Sequence, residues 1–127
     1  MATLGVEIEG IEPGRVELIV PYRSDFAQQH GFMHAGIITT VLDTACGYAA
    51  FTLMPREAAV LTVELKTNLL SPGKGEKFRL VGKVVKPGRT LTFCEGAAYA
   101  INGSETKLVS TMTATMMAVT GRDDIKG

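Results

Sequence analysis

The sequence predicts an α+β domain in which an antiparallel sheet curls round one long apolar helix. From Ala35 to about Leu53, pairs of apolar residues recur every four positions, which is the pattern of a helix that buries one face. After Pro55, which cannot continue a helix, apolar and polar residues alternate with the period of a strand. With 127 residues, of which 46% are hydrophobic, the chain is most economically a single domain, residues 1–127.

Turn residues divide the rest of the chain into strands. Two short strands, Val6–Ile8 and Arg15–Pro21, are predicted before the helix. Four more are expected after it, at about 61–66, Glu76–Val85, Arg89–Ile101 (bulged near Gly96) and Glu105–Val119. The turn signals between the strands are Glu12-Pro13-Gly14, Ser71-Pro72-Gly73, Lys86-Pro87-Gly88 and Asn102-Gly103. Because hairpins join the last three strands, the sheet should be antiparallel, and a second copy of the chain could protect its long edges.

Composition and charge argue against several classes of protein. The 13 basic and 13 acidic residues balance, so general nucleic-acid binding is not expected. The N-terminus lacks the basic start and apolar block of a secretory signal, and a carboxylate within the only long apolar stretch argues against a membrane span. Cys46 and Cys94 lie inside predicted elements without metal-ligand spacing. We therefore expect two reduced core thiols in a cytoplasmic protein.

Asp43 is the residue that points most directly to chemistry. From Phe26 to Pro55 it is the only formally charged residue among thirty, where a charged fraction of 20% would give about six (0.2 × 30). A buried, unpaired carboxylate costs several kcal/mol, so it should be compensated or used. One interpretation is a hydrogen-bonded aspartate that ties the helix to the sheet. The other is a general base or nucleophile whose pKa is set by apolar surroundings.

The start of the helix lacks a conventional cap. Residues 30–36 read His-Gly-Phe-Met-His-Ala-Gly and include no Ser, Thr, Asp or Asn. The first N–H groups, at the positive end of the helix dipole, could therefore stabilise a carbonyl oxygen that becomes negative during a reaction. The small residues Ala35 and Gly36 would let a substrate approach the backbone closely. Alternatively, water or an upstream residue caps the helix.

Helical geometry relates these two features. Asp43 lies nine residues beyond His34, which is two and a half turns and about 13 Å along the axis. One chain cannot bring both its helix start and its own Asp43 to the same atom. If the two act together they come from different subunits, which predicts at least a homodimer with two-fold-related sites.

Six basic residues fall within sixteen positions, against one acidic residue, Glu76: Lys74, Lys77, Arg79, Lys83, Lys86 and Arg89. They could hold the phosphates of a nucleotide-bearing carrier, or they could simply cover exposed strand faces near sheet edges. Lys86 and Arg89 flank a turn and are the better phosphate candidates. No metal site is expected, because His30 and His34 have no third ligand nearby.

These residues, in this order, resemble the hotdog fold and, within it, the PaaI-type acyl-CoA thioesterases. The segment Gln28-Gln29-His30-Gly31-Phe32-Met33-His34-Ala35-Gly36, followed by Asp43, is similar to that family's active-site motif, Asn-x-x-Gly-x-x-His-Gly-Gly and then an aspartate. Leu69-Leu70-Ser71-Pro72 and Lys86-Pro87-Gly88-Arg89 also stand where such proteins carry similar signals. The likeness covers nearly the whole chain.

The resemblance implies hydrolysis of a small, medium-chain or aromatic acyl-CoA, with no cofactor besides the coenzyme A of the substrate. It implies that Asp43 is the base or nucleophile and that the backbone N–H of Ala35 polarises the thioester oxygen. His34 and Gln28 would line the site from the same subunit as Ala35, opposite Asp43 of the partner subunit. Thr62 matches a position where some members have a serine that helps to place the water. The fold normally forms dimers, often dimers of dimers.

The sequence departs from the family pattern at two positions. Gln28 replaces the usual asparagine, and its longer side chain would displace the amide from its contact. Ala35 replaces the first glycine of the pair, which keeps the backbone donor but places a methyl group beside the thioester. In addition, Thr62 shares its predicted strand face with Glu64 and Lys66.

Two other functions stay open. One is a non-catalytic hotdog protein that binds acyl-CoA or another acyl ligand. The other is a hydratase or dehydratase, although such enzymes usually rely on an Asp/His pair in a different arrangement. The presence of Asp43 favours the thioesterase, because a binding protein has no need of a carboxylate facing a thioester.

Overall fold

The computed structural model describes residues 5–22 and 35–120, which form six strands and one helix. In chain order these are β1 (Glu7–Glu12), β2 (Arg15–Pro21), α1 (Ala35–Phe51), β3 (Ala59–Leu69), β4 (Lys77–Lys86), β5 (Leu91–Asn102) and β6 (Glu105–Val119). The strands form one sheet in the order β1-β2-β4-β5-β6-β3, and every neighbouring pair is antiparallel. The helix packs on one side of this sheet. The predicted α+β class is confirmed.

The turns follow the local chemistry of the chain. Gly14 and Gly103 adopt φ angles of 79° and 57°, which glycine reaches without steric cost. Asn102 pairs with Glu105 across the Gly103 turn, so the predicted hairpin is confirmed. The helix ends at Phe51, two residues earlier than expected.

The helix approaches the sheet most closely at two glycines, Gly82 and Gly96. A Cβ at Gly82 would lie 2.4 Å from the carbonyl carbon of Ala45, and one at Gly96 would lie 2.8 Å from Cδ1 of Leu42. The bulge predicted near Gly96 is wrong, because Gly96 pairs in register with both of its neighbouring strands. This glycine makes room for the helix, whereas the irregularities of these ladders lie between Ala98 and Tyr99 and between Val84 and Lys86.

The core lies between the apolar face of α1 and the inner face of the sheet. It is built from small and aliphatic side chains: Val16, Leu18, Val20, Ile38, Val41, Leu42, Ala45, Ala49, Ala50, Phe78, Leu80, Ala98, Ala100, Val109, Met112, Ala114 and Met116, together with Cys46 and Cys94. The two cysteines are buried free thiols, as predicted. Met112 and Met116 are fully buried in this core, whereas Met117 is half-buried.

Some boundaries differ from those predicted. The first strand runs from Glu7 to Glu12 instead of Val6–Ile8, because its pairing with β2 continues up to the turn at Gly14. Across residues 5–22 and 35–120, no helix has both the length and the apolar character needed to cross a membrane.

Candidate active site

One face of α1 is not covered by the sheet. Its residues are exposed or half-buried: Gly36, Thr40, Asp43, Thr44, Gly47, Tyr48 and Phe51. The Thr40 hydroxyl donates to the Gly36 carbonyl at 2.8 Å, and the Thr44 hydroxyl donates to the Thr40 carbonyl at 3.0 Å. Both hydroxyls are thus turned onto the helix backbone. Asp43 is left as the charged group of this face.

Asp43 is half-buried, whereas the sequence suggested a buried carboxylate. The hydroxyl of Thr62, on β3, donates to Oδ1 of Asp43 at 2.9 Å. The same hydroxyl oxygen lies 3.3 Å from the sulfur of Met116, which is buried on β6. Within the described part of the chain, Asp43 forms no ion pair with a lysine or arginine. The carboxylate is therefore held at one oxygen and is accessible from the uncovered face of the helix.

A β-bulge at Val63 sets the direction of the Thr62 side chain. Thr62 pairs with Met116, but Glu64 pairs with Thr115, so β3 contains one extra residue between them. In a regular strand, residues two positions apart share a face. Because of the bulge Thr62 and Glu64 lie on opposite faces, so the prediction that they share one is wrong. The bulge turns Thr62 towards the helix, while Glu64 accepts a 2.9 Å hydrogen bond from the Thr115 hydroxyl on the other side of the sheet.

The interior next to Asp43 has low polarity. Burial raises the pKa of the Cys46 thiol to about 12, and Cys94 and the negative charges of Asp43 and Glu95 act in the same direction. Burial also raises the pKa of Cys94, to about 11. Because the thiolate is the reactive form of cysteine, neither thiol is suited to nucleophilic catalysis near neutral pH. Among the side chains packed here, the carboxylate of Asp43 is the one suited to accept a proton or attack a carbonyl.

The helix start lies at the boundary of the described residues. Ala35 is the first residue of α1 and is half-buried, Gly36 is exposed, and the first turn carries no acidic side chain. The first N–H groups of a helix have no acceptor within the helix and carry the positive end of its dipole. His34 and Gln28, the other two predicted site residues, lie outside the described residues.

Asp43 and the helix start are far apart within one chain. Asp43 follows Ala35 by eight residues, a rise of about 12 Å along the axis. The carbon and oxygen of a carbonyl group are only about 1.2 Å apart. One protomer therefore cannot present both its Ala35 N–H and its own Asp43 to the same carbonyl group.

The basic cluster divides between two places. Arg79 stacks over the ring of Tyr99, with 5.6 Å from its guanidinium carbon to the ring centroid, and Lys83 lies 4.0 Å from Glu95. These side chains belong to the sheet face opposite the helix. Lys86, at the end of β4, and Arg89, in the following turn, are exposed and form no ion pair with the described residues.

Two features of this region were not predicted from the sequence. The bulge at Val63 has no marker, because neither glycine nor proline stands there. Gly47 lies one turn beyond Asp43, and a Cβ added to it would meet nothing within 4 Å. The available signal for Gly47 was a glycine inside an otherwise continuous helical pattern.

No group of three or more His, Cys, Asp or Glu side chains able to hold a metal ion occurs among residues 5–22 and 35–120. His30 and His34 lie outside these ranges.

A long helix wrapped by a curved antiparallel sheet, with an aspartate on its uncovered face, defines a protein of the hotdog class. Residues 30–107 match the thioesterase superfamily, and the chain belongs to that family. This confirms the predicted hotdog thioesterase family. The narrower PaaI-type assignment stays a prediction.

Two curated relatives illustrate the family. A protein of Saccharolobus solfataricus, named as a candidate esterase, is 36% identical over 92 residues, which cover 72% of this chain and 65% of that protein. The medium/long-chain acyl-CoA thioesterase YigI of Escherichia coli is 24% identical over 131 residues, which cover 90% of this chain and 81% of YigI. The chain thus spans just under two thirds of the length of the first of these relatives.

Solved structures share the fold. A thioesterase family protein from Silicibacter pomeroyi is 60% identical and superposes with a TM-score of 0.94, over 95% of this chain and 89% of that one. The BH2602 protein from Bacillus halodurans, crystallised with CoA, is 27% identical with a TM-score of 0.82, over 94% of this chain and 77% of that one.

Proposed function

We propose that this protein is an acyl-CoA thioesterase of the PaaI type, which hydrolyses a small, medium-chain or aromatic acyl-CoA to the free acid and CoA. The observation that carries the proposal is Asp43, a half-exposed carboxylate held by Thr62 at 2.9 Å on a helix face with no other charge. Membership of the thioesterase superfamily supports the reaction class. The name of YigI and the CoA in the BH2602 structure support acyl-CoA as the substrate class.

In the proposed reaction Asp43 takes a proton from water, and the resulting hydroxide adds to the thioester carbon. The carbonyl oxygen becomes negative and accepts a hydrogen bond from the Ala35 N–H at a helix start. When this intermediate collapses, the C–S bond breaks and the proton on Asp43 passes to the sulfur, which leaves as the thiol of CoA. The alternative is that Asp43 attacks the carbon directly and water then hydrolyses the anhydride.

Thr62 has a positioning role in this proposal. Its O–H donates to Oδ1 of Asp43, so the carboxylate cannot rotate freely about its own axis. A base fixed in one orientation keeps its second oxygen directed at the water.

A second copy of the chain is proposed to complete the site, in a homodimer or a dimer of dimers. β3 is an edge strand of the described sheet, and its large apolar residues are unusually exposed, with Val63 at 54% and Leu69 at 63%. Leu65 lies on the helix side of the same strand and is also exposed. A long apolar edge beside an uncovered helix face is typical of a surface that another chain covers. Two-fold pairing at β3 would direct the helix start of one protomer towards the Asp43 of the other.

The remaining predicted residues receive roles in the same proposal. His34 and Gln28 would line the site beside Ala35, and Gly36 would allow the thioester to approach the backbone. Lys86 and Arg89 would bind the phosphates of CoA. No cofactor is needed beyond the CoA of the substrate. A cytoplasmic location is proposed because both cysteines are free thiols and CoA esters are intracellular metabolites.

The first test is thiol release from acetyl-, octanoyl- and phenylacetyl-CoA. The Asp43→Asn variant keeps the shape of the side chain but cannot accept the proton, so turnover should fall by about a hundredfold or more. Glu57→Gln, at an exposed carboxylate beyond the helix, is the matched control and should be unchanged. Binding without turnover by the parent would establish the non-catalytic acyl-CoA-binding protein instead. Full activity in Asp43→Asn would show that Asp43 is not catalytic and that its role is to connect the helix to the sheet by a hydrogen bond.

The shared site is tested by complementation. Ala35→Pro removes the proposed N–H donor, and proline is well tolerated at the first position of a helix. Asp43→Asn and Ala35→Pro should each be inactive as homodimers. After mixing and subunit exchange, half of the dimers carry one intact site of two, so about a quarter of the parent activity should return. No recovery, with heterodimers demonstrated by mass spectrometry, would rule out a site shared in this way.

A further inference from the structure

Gly47 is a glycine that its contacts with the described part of the chain do not require. At Gly82 and Gly96 a Cβ would collide with the helix, but at Gly47 a Cβ would meet nothing within 4 Å. Its φ is not in the left-handed region either. Glycine is one of the least favourable residues inside a helix. No contact among residues 5–22 and 35–120 therefore accounts for a glycine at this position.

The missing side chain leaves a particular space open. In a helix, a side chain lies over the turn that precedes its own Cα. A side chain at position 47 would consequently lie over the turn that carries Asp43, beside the carboxylate. Gly47 keeps this space free on the C-terminal side of Asp43.

The far end of the same space is apolar. Phe51 follows Gly47 by four residues, so it lies on the same face of the helix, one turn further along. Phe51 is 40% exposed, as is the neighbouring Tyr48 at 44%. The surface that leads away from Asp43 thus suits a hydrocarbon chain or an aromatic ring better than the amide-rich arm of CoA.

We propose that Gly47 is the floor of the acyl site and that Phe51 closes its far end. The thioester carbon lies at Asp43 and the acyl group crosses the helix over Gly47. This inference rests on the proposed function and deepens it by naming where the acyl group binds. From Asp43 to Phe51 the helix rises about 12 Å, which suits a medium-length chain or a single aromatic ring.

The test compares kcat/KM for acetyl-, octanoyl- and phenylacetyl-CoA in the parent, Gly47→Ala and Gly47→Leu. One added methyl group in an apolar site is worth about tenfold or more. Gly47→Ala should therefore lower kcat/KM about tenfold for the two larger substrates, with a much smaller effect on acetyl-CoA. Gly47→Leu should abolish turnover of the larger substrates. Phe51→Ala should extend activity to dodecanoyl-CoA. Thr40→Ser, which alters one methyl group on the other side of Asp43, is the matched control and should leave the substrate ratios unchanged.

Folding and assembly are measured on the same variants. Alanine and leucine are better helix formers than glycine, so Tm should not fall. Equal losses for all three substrates, or dissociation of the dimer on size exclusion, would make Gly47 a subunit-contact residue and overturn the inference. Unchanged kinetics would also overturn it. A parent that hydrolyses none of the three substrates would defeat the proposed function itself, whereas an active parent with unaltered selectivity in the variants defeats only the acyl-site inference.

Discussion

The close approach of α1 to the sheet at Gly82 leads to a quantitative prediction. In Gly82→Ala the new Cβ would lie 2.4 Å from the carbonyl carbon of Ala45 and 2.5 Å from the backbone N of Cys46. Carbon atoms in contact are normally about 3.5–4.0 Å apart. The helix would therefore have to withdraw from β4 by about 1 Å. Because the clashing atoms are backbone, no side-chain rotation can relieve the contact.

The expected cost lies at the upper end of the range for overpacking, about 3 kcal/mol. A gap of about 1 Å between helix and sheet also forfeits up to half of the dispersion energy of the contacts it opens. For a domain of this size, Tm should fall by about 10 °C. Activity should fall as well, because Asp43 is two residues from Ala45 and would move with the helix.

Thermal unfolding by circular dichroism measures this effect against two matched glycines. In Gly96→Ala the three nearest atoms would be Cδ1 and Cγ of Leu42 and the sulfur of Cys46, at 2.8, 3.0 and 3.1 Å. All three belong to side chains, so a rotamer change costing about 1 kcal/mol should suffice. Gly10→Ala, where a Cβ meets nothing within 4 Å, should be neutral within about 0.5 kcal/mol. A Gly82→Ala variant as stable as Gly10→Ala would refute the argument that the helix backbone rests on this glycine.

Three further predictions concern the site and its surroundings. Thr62→Ala should lower kcat about tenfold with little change in KM, because it removes a hydrogen bond worth about 1–1.5 kcal/mol. Thr62→Ser keeps the hydroxyl and should retain activity. Equal losses in both variants would contradict a role for the hydroxyl. The double variant Lys86→Ala/Arg89→Ala should raise KM for acyl-CoA about tenfold but leave acyl-pantetheine unaffected. Lys83→Ala, whose ammonium group lies 4.0 Å from Glu95, should change neither. Because the pKa of Cys46 is raised from 9.0 to about 12 in the folded state, its contribution to stability is complete below pH 9 and is lost as the pH rises towards 12. Urea unfolding between pH 9 and 11 should show the parent losing up to about 1.4 kcal/mol per pH unit more than Cys46→Ala, and parallel curves would show that the thiol is not responsible.

The elements of the fold could be predicted because each leaves a local periodic signal. The four-residue recurrence of apolar pairs predicted α1, and alternation between turn residues predicted the strands. The position of β3 could not be obtained in this way. It pairs with β6, about 50 residues later in the chain, and no hairpin or turn signal in the sequence indicates this pairing.

The sequence predicted the site residue that differs chemically from its neighbours. It did not predict how far that side chain is buried or which face of the sheet a side chain lies on. Asp43 was identified because a lone charge in an apolar helix is unusual. Its burial was overestimated because it lies at the margin of the buried face, next to the fully buried Leu42. The predicted sheet face of the Thr62 side chain was wrong because the bulge at Val63 reverses the alternation of side chains between the two faces. A valine in a strand does not indicate a bulge.

The bulge at Val63 also determines how β3 tolerates changes in length. Residues before it face the helix at even positions, as Thr62 does, and residues after it face the helix at odd positions, as Leu65 does. Deleting Val63 would restore simple alternation and leave every other side chain of β3 on its present side. Deleting any other interior residue would shift part of the strand by one position and exchange its two faces. Val63 is thus the position in β3 where the loss of a residue conserves the pattern of contacts, and length variation in this strand should concentrate there.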